Sequence, residues 1–231
     1  MKLSEYTLEI FKNFAAINDG LVMFKKFSTP EGTTIKTIDK NISSPNIQAV
    51  AFIPEQIEND VCFSNLNLFL AVLKTFEEPE VDFSHNQVKV NDQNSVASIV
   101  YNAPETIIHN YAEIKFPEPR LVFTLKEDDL EKLQTNARIL QLPDYKLFVD
   151  NGTVVIQAVN RKNPSSNGVK VTLDKTDATD FTPMFFESQY FVFVKGTYEV
   201  KIVGGVANFS NTSCKLEYNV VSIKTPKAKN E

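Results

Sequence analysis

The sequence is poor in the residues and segments that mark several protein classes. Its 231 residues contain no tryptophan, two cysteines, two histidines and seven glycines. No run of 18 apolar residues occurs, so no membrane-spanning helix is predicted. Glu5 and Glu9 interrupt the N-terminal segment, so no secretory signal is predicted. Cys62 and Cys214 fit no metal or redox spacing, and we expect both to be reduced.

Signatures of catalysis are missing as well. The histidines, His85 and His109, fall in a predicted turn and a predicted connector. The sequence has no glycine-rich phosphate loop, no cluster of metal ligands and no nucleophile elbow. The acidic run at residues 127–129 is explained by a helix N-terminus, where carboxylates are favourable. We therefore predict a protein without enzymatic activity, cofactor or metal, and keep an enzyme as one alternative.

The apolar content is sufficient for sizeable cores. Apolar residues make up 42% of the chain and include 18 phenylalanines, which suits one large domain or two small ones. The net charge of −5 argues against a protein that coats nucleic acid through its overall charge. A local basic surface is compatible with that net charge.

The first twenty residues predict an amphipathic helix. Ser4 is a suitable N-cap, and Asp19-Gly20 is a suitable end. At about 100° per residue, two faces separate. The apolar face carries Thr7, Ile10, Phe11, Phe14 and Ile17, and the polar face carries Glu5, Glu9, Lys12, Asn13 and Ala16.

Two later segments follow the same pattern. Residues 64–76 begin at Ser64 or Asn65, and residues 126–143 end at Pro143. A short fourth helix is conceivable at 187–193, although the aromatic and β-branched residues of 181–194 favour a strand. The apolar faces carry Leu66, Phe69, Val72, Leu73 and Phe76 in the second helix, and Leu130, Leu133, Ala137 and Leu140 in the third.

The other periodic segments predict antiparallel strands. Asn151-Gly152 is the strongest turn signal among them. Hairpins are expected over 21–38, 80–90, 145–159 and 197–210, and single strands over 46–54, 96–101, 121–125, 168–173 and 216–224.

Residues 102–120 contain three prolines and no periodicity, which is typical of an extended connector. We therefore predict four parts. They are an N-terminal domain (1–102), a connector (103–120), a C-terminal domain (121–225) and a tail (226–231). The spacing of the helices indicates a duplicated unit of about 115–120 residues, each with two helices.

Four patches of residues are informative together, in their order along the chain. The first joins Met1-Lys2-Leu3-Ser4 to Lys12-Asn13-Phe14-Ala15, Ile17-Asn18 and Gly20. The later patches are Asn65-Leu66-Asn67 with Phe69-Leu70, Phe116-Pro117, and Asp129-Leu130 with Leu133 and Arg138. In this order they resemble the sliding clamps of T-even-type bacteriophages, the processivity factors of the phage DNA polymerase. The resemblance covers nearly the whole chain, is strongest in the first patch and weakens after residue 160.

This resemblance implies an α+β fold with two DNA-clamp domains per chain, each with two helices packed on antiparallel sheets. It implies a homotrimeric ring that encircles duplex DNA and tethers the polymerase. It further implies a clamp loader complex as partner, a link to late transcription, no cofactor, no membrane, and a location in the cytoplasm of the infected bacterial host.

The resemblance also implies which residues face DNA, because clamp helices line the hole. The helix cations Lys12, Lys74, Lys132 and Arg138 then become candidate contacts to phosphates. Such contacts carry no sequence information, as a sliding protein requires. Two departures weaken this surface: Glu5 and Glu9 share the face of Lys12, and the fourth helical segment has no cation before Lys195.

Ring closure in clamps joins an edge strand of the first domain to one of the next subunit's second domain. By position, residues 96–101 and 168–173 are the candidates. In clamps, the tails of partner proteins dock in an apolar pocket beside the connector. The residues that suit such a pocket here equally suit a purely structural role, in which they hold the connector against the sheet. They are Ile108, Ile114, Phe116, Leu216 and Tyr218. A structural virion or tail protein is the second alternative, since aromatic-rich strands and acidic charge suit it too.

Overall fold

The computed structural model describes residues 1–18, 21–39, 46–84, 86–102, 118–163, 165–178 and 180–223, with the backbone alone for residues 21–27. The chain divides into two compact units, Met1–Glu113 and Ile114–Glu231. The division falls inside the predicted connector, of which residues 103–117 lie outside the described residues. The predicted turn at His85 and the predicted tail at 226–231 lie outside them as well, so the exact domain limits stay predictions.

Unit 1 alternates helices with antiparallel strands. Its strands pair in the orders β4-β1-β2-β3 and β5-β6-β7. Its elements are α1 (Glu5–Ile17), β1 (Leu21–Thr29), β2 (Gly32–Ile38), β3 (Ile47–Ile53), β4 (Val61–Phe63), α2 (Leu66–Leu73), β5 (Glu80–Phe83), β6 (Gln87–Asn91) and β7 (Val96–Val100).

Unit 2 has the same kind of organisation. Its strands pair in the orders β8-β13-β14-β15 and β12-β9-β10-β11. Its elements are β8 (Leu121–Leu125), α3 (Glu127–Ile139), β9 (Asp144–Asp150), β10 (Thr153–Val159), β11 (Val169–Lys175), β12 (Met184–Glu187), a 3-10 turn (Ser188–Tyr190), β13 (Tyr198–Val203), β14 (Val206–Asn211) and β15 (Leu216–Val221).

A helix or helical turn followed by three antiparallel strands occurs four times along the described chain. We call each such set a repeat. The predicted helix-then-hairpin pattern is therefore extended by one strand per repeat, and the chain carries two repeats in each unit. Each of the three described helices presents an apolar stripe to its unit's interior, which is the arrangement that buries helix and sheet together.

The strand before each helix belongs to the sheet of the other repeat in its unit. Strand β4 pairs with β1, β8 pairs with β13, and β12 pairs with β9. Met1 takes the same place in the first repeat, because its amino group donates to the Val81 carbonyl (2.8 Å) and the Val81 N–H donates to its carbonyl (2.7 Å). The two repeats of a unit therefore exchange edge strands.

Helix α1 begins where the sequence predicts. The Ser4 hydroxyl accepts a hydrogen bond from the Thr7 N–H at 3.2 Å. Thr7, Ile10, Phe11 and Phe14 are buried as expected, while Ile17 is half-buried at the last turn. The carboxylate of Glu55 also lies at this N-terminus, where it accepts from the Ser4 N–H (2.6 Å) and the Thr7 hydroxyl (2.5 Å).

Helices α2 and α3 also form near the predicted positions. Asn65 caps α2, since its side-chain oxygen accepts from the Leu68 N–H at 2.8 Å. Helix α2 ends at Leu73, so it is shorter than the predicted 64–76. Of its predicted apolar face, Val72 and Phe76 are only half-buried; the buried residues are Leu66, Phe69, Leu70 and Leu73. Leu130, Leu133 and Ala137 of α3 are buried as predicted, and Leu140 lies half-buried just beyond its end.

The second helix of unit 2 is reduced to the 3-10 turn, so the expectation of two full helices per domain holds for unit 1 alone among the described residues. Aromatic side chains take the space that such a helix would fill. Phe191 packs edge-on against Tyr145 (4.7 Å between ring centroids) and Phe209 (5.3 Å), and it stacks on Phe193 (5.1 Å). The chain gains this burial by staying extended on either side of the turn.

Two predicted turns have the backbone conformation that their residues favour. Asn151 and Gly152 both have positive φ, 49° and 69°, as a two-residue hairpin turn requires. Gly204 has φ 56° between β13 and β14. No helix in the described part of the chain is long and apolar enough to span a membrane.

We expect Glu55→Gln to lower the free energy of unfolding by about 1–3 kcal/mol, because an amide cannot accept from both Ser4 and Thr7 and leaves a buried donor without a partner. Urea denaturation followed by circular dichroism measures it. Glu58→Gln, an exposed change three residues away, is the control and should stay within about 0.5 kcal/mol of the parent. Equal midpoints for the two variants would show that Glu55 does not hold α1.

Candidate functional site

Two of the predicted DNA-facing cations meet in one groove of unit 1. Lys12 on α1 and Lys74 at the end of α2 both line a groove of about 360 Å³. Lys2 lines it as well, and its floor is apolar, formed by Leu3, Leu8, Leu70, Leu73, Pro79 and Val81. We call it the helix groove. It concentrates three ammonium groups on the helical side of the unit.

Lys2 was missed by the sequence reasoning because it precedes the helix and belongs to no periodic pattern. Its ammonium contacts the Glu78 carboxylate at 2.8 Å, with both side chains exposed. The hydrogen bond and the charge of Glu78 raise the pKa of Lys2, and the same contact lowers the pKa of Glu78. Glu78 therefore competes with any phosphate for Lys2.

The other two predicted cations are exposed on α3 but do not share a site. Arg138 lines a groove of about 440 Å³ between α3 and the 3-10 turn, and Lys132 does not. Tyr145 also lines this groove, and burial raises its pKa to about 12 although the charge of Arg138 opposes the shift. The phenol is thus neutral at physiological pH, and Arg138 is the charged group there.

The structure corrects two residues of the predicted partner pocket. Leu216 is 1% exposed and Tyr218 is 0% exposed, so both belong to the core rather than to a surface groove. They alternate along β15 on its inner face, which the spacing in the sequence could have indicated. Tyr218 stacks on Phe193 (4.5 Å) and accepts from the Val194 N–H (3.1 Å). Ile108, Ile114 and Phe116 lie outside the described residues.

A different cavity lies next to the described end of the predicted connector. It measures about 450 Å³, and Arg120 forms part of its wall. The Arg120 N–H donates to the Ile202 carbonyl at 2.8 Å, which fixes this end of the connector to β13. We call it the connector cavity; its apolar wall contains Phe181, Pro183, Met184 and Ile202.

The strands predicted for ring closure lie at sheet ends. Strand β7 is last in the order β5-β6-β7, and β11 is last in the order β12-β9-β10-β11. On β7, Val96 and Val100 are 69% and 70% exposed, which is unusual for valine. An unpaired edge with exposed valines is a surface that another strand can cover.

Solved structures with this fold are DNA clamps. One is Archaeoglobus fulgidus (A. fulgidus) PCNA bound to the C-terminal region of FEN-1, with a TM-score of 0.71, 10% identity and 98% of each chain covered. Another is the Helicobacter pylori beta clamp bound to a DNA ligase peptide, with a TM-score of 0.70, 12% identity, and 97% of this chain and 65% of that chain covered. These similarities define the class of fold: the chain has the clamp fold.

The relatives found by sequence define a narrower family than the solved structures do. The sliding clamp of Enterobacteria phage T4 is 30% identical over 72% of this chain and 70% of its own. Those of Escherichia phage RB69 and Vibrio phage KVP40 are 28% and 26% identical over 77% and 96% of this chain. No family model matches the sequence. The chain belongs to the family of phage sliding clamps, which confirms the resemblance and leaves the virion or tail protein without support.

Proposed function

We propose that this protein closes into a homotrimeric ring around duplex DNA and tethers the phage DNA polymerase without catalysing a reaction itself. Membership in the sliding clamp family is the observation that carries the proposal. A clamp loader complex places the ring on DNA, in the cytoplasm of the infected host. The link to late transcription belongs to the same proposal.

Ring closure is proposed to join β7 of one subunit to β11 of the next. The contact is head-to-tail, and repeated around a three-fold axis it closes the ring. Both strands lie at sheet ends, and the exposed Val96 and Val100 of β7 gain burial when a strand covers them. Backbone pairing then removes two exposed edges per subunit.

We expect Val96→Lys with Val100→Lys to convert the trimer to monomer, because charges on an edge strand oppose strand addition. Light scattering over a dilution series measures the mass, from three times 26.1 kDa, or about 78 kDa, down to 26.1 kDa. The control carries Leu68→Lys and Ile139→Lys, which add the same charge at exposed helix positions. A parent protein that stays monomeric at tens of micromolar would overturn the ring.

DNA is proposed to pass along the helices, where Lys12, Lys74, Lys132 and Arg138 contact phosphates. These contacts are few and lie beside Glu5, Glu9 and Glu78, so affinity for linear DNA should be weak and salt-sensitive. Within a Debye length of roughly 8–10 Å, the helix cations still attract phosphate while the acidic exterior is screened. Retention on circular DNA is then topological.

We expect a variant in which all four of these cations are replaced by glutamine to load on DNA with a weaker dependence on salt. The reason is that each lost phosphate contact removes about 0.9 from the slope of log K against log salt. Loading on nicked circular DNA, before and after linearisation, measures it. The control changes four cations that lie on strands, namely Lys36, Lys89, Lys146 and Lys201. Equal loading of the two variants at low salt would contradict the assignment.

Partner tails are proposed to dock in the connector cavity. Two clamps of the same fold are bound to peptides of their partners, FEN-1 and DNA ligase. The half-buried Phe181 and Met184 and the exposed Pro183 offer apolar contacts there, and Arg120 offers a cation at the rim. A short extended tail can bind at such a site, because the apolar pocket receives its side chains and the accessible backbone supplies hydrogen bonds.

We expect Met184→Ala to weaken binding of a peptide that carries the C-terminal residues of the polymerase by about tenfold, the equivalent of roughly 1.4 kcal/mol of lost apolar contact. Fluorescence anisotropy measures the affinity. Leu68→Ala, at an exposed apolar side chain outside the cavity, is the control. Unchanged affinity in the Met184 variant would move the docking site elsewhere.

A further inference from the structure

A second groove in unit 2 is independent of the surfaces described above. Residues 160–163 and 166–168, which lie between β10 and β11, line a groove of about 750 Å³ beside the sheet β12-β9-β10-β11. Three cations line it, Lys146, Arg161 and Lys162, together with the apolar side chains of Val159 and Phe185. We call it the basic groove.

Arg161 is held in place by a buried carboxylate. Its Nε lies 3.1 Å from Oδ1 of Asp144, and its backbone N–H donates to Oδ2 at 3.2 Å. Asp144 is 4% exposed, while the Arg161 side chain is 31% exposed with its guanidinium 5.8 Å from the Phe185 ring centroid. The described chain supplies no acceptor for the two terminal nitrogens. Such a pre-oriented guanidinium suits a carboxylate or phosphate.

The charges in the basic groove do not balance. None of the described residues that line the groove is a carboxylate. The nearby carboxylate of Asp144, which supports Arg161, is already bound to it. Glu187 pairs in register with Asp144 on β12 but does not line the groove, and it accepts from Gln189 instead. Lys146 and Lys162 therefore have no carboxylate partner among the described residues, although the Lys146 ammonium lies 4.8 Å from the Phe148 ring centroid. The net charge of the whole chain is −5. Local positive charge on an acidic protein attracts an anionic partner.

The basic groove lies on the face of the sheet away from α3. Gln157 and Phe185 both flank Lys146 in the strand register, so the three side chains share one face. Their sequence neighbours Tyr145 and Leu147 are buried on the other face, against which α3 packs through β10 and β11. If DNA runs along the helices, as proposed above, the occupant of this groove is not the encircled duplex.

We propose that the basic groove binds an acidic peptide segment of a protein partner. Carboxylates of the peptide pair with the terminal nitrogens of Arg161 and with the ammonium groups of Lys146 and Lys162. An apolar residue of the peptide packs on Phe185 and Val159. This inference relies on the proposed function only for the side on which DNA lies, and the site differs from the connector cavity in both position and charge.

The test is fluorescence anisotropy with the full chain and a short labelled peptide rich in Asp and Glu around one Phe. A peptide with each acid replaced by its amide is the matched probe. Lys146→Gln with Lys162→Gln leaves the Arg161–Asp144 pair intact and should weaken binding about tenfold, as expected for two exposed ion pairs. Lys89→Gln with Lys201→Gln removes the same charge elsewhere and should leave affinity unchanged.

Asp144→Asn adds a readout of orientation, because it frees Arg161 while keeping all three cations. It should weaken binding in a protein whose thermal unfolding shows that it is still folded. Equal binding of the amide peptide, or equal binding by the two double variants, would overturn the proposal. So would a DNA oligonucleotide of equal charge that binds more tightly and competes at this groove.

Failure of the ring can be told apart from failure of this site. Light scattering and loading on circular DNA report the ring, and Lys146→Gln with Lys162→Gln should leave both unchanged. Peptide binding reports the groove whether or not the ring forms.

Discussion

The structure depends on the exchange of edge strands between the two repeats of each unit. A backbone N–H or C=O group that is buried needs a hydrogen-bond partner, so a sheet must be completed by some strand at each covered edge. Here β4, β8 and β12 each complete the sheet of the other repeat. Neither repeat can therefore complete its sheet alone, and the apolar faces of the helices are buried against sheets that the exchange has completed. The ends left over, β7 and β11, are where a sheet can be extended.

The sheet next to the first helix is completed in the same way, but by a shorter stretch of paired backbone. Only Met1 pairs with Val81 there, through two hydrogen bonds, whereas β8 pairs with β13 along five residues. Glu55 adds what the short pairing does not supply, because its carboxylate accepts from the N-terminus of α1 and ties that helix to the end of β3. A buried carboxylate at a helix N-terminus also meets the positive end of the helix dipole, which adds to the attraction between Glu55 and α1.

Local signals in the sequence predicted most of the fold, and long-range pairing set what they missed. Ser4, Asn65 and Asn151-Gly152 act over four residues or fewer, so their roles follow from sequence alone. The short helical turn at Ser188 is followed by Phe191, which packs on Tyr145, 45 or more residues earlier in the chain. No local periodicity reveals such a contact. The Arg161–Asp144 pair spans a whole hairpin, two strands and the turn between them, and the basic groove is built on this pair. The alternation along β15 indicates that Tyr218 is buried. The prediction placed Tyr218 in a partner pocket instead, because the resemblance to sliding clamps implied such a pocket.

The distribution of charge explains how an acidic chain can act on DNA without holding it tightly. Glu78 lines the helix groove and is paired with Lys2, and Glu5 and Glu9 are exposed on the helix that carries Lys12. A phosphate must therefore compete with carboxylates for each contact, which keeps the contacts weak and exchangeable. The proposed ring needs no more than this, because its topology would prevent dissociation while weak contacts allow movement along the duplex. The basic groove, in contrast, has its carboxylate buried and committed to orienting Arg161, which is the arrangement of a site that holds its partner rather than lets it slide.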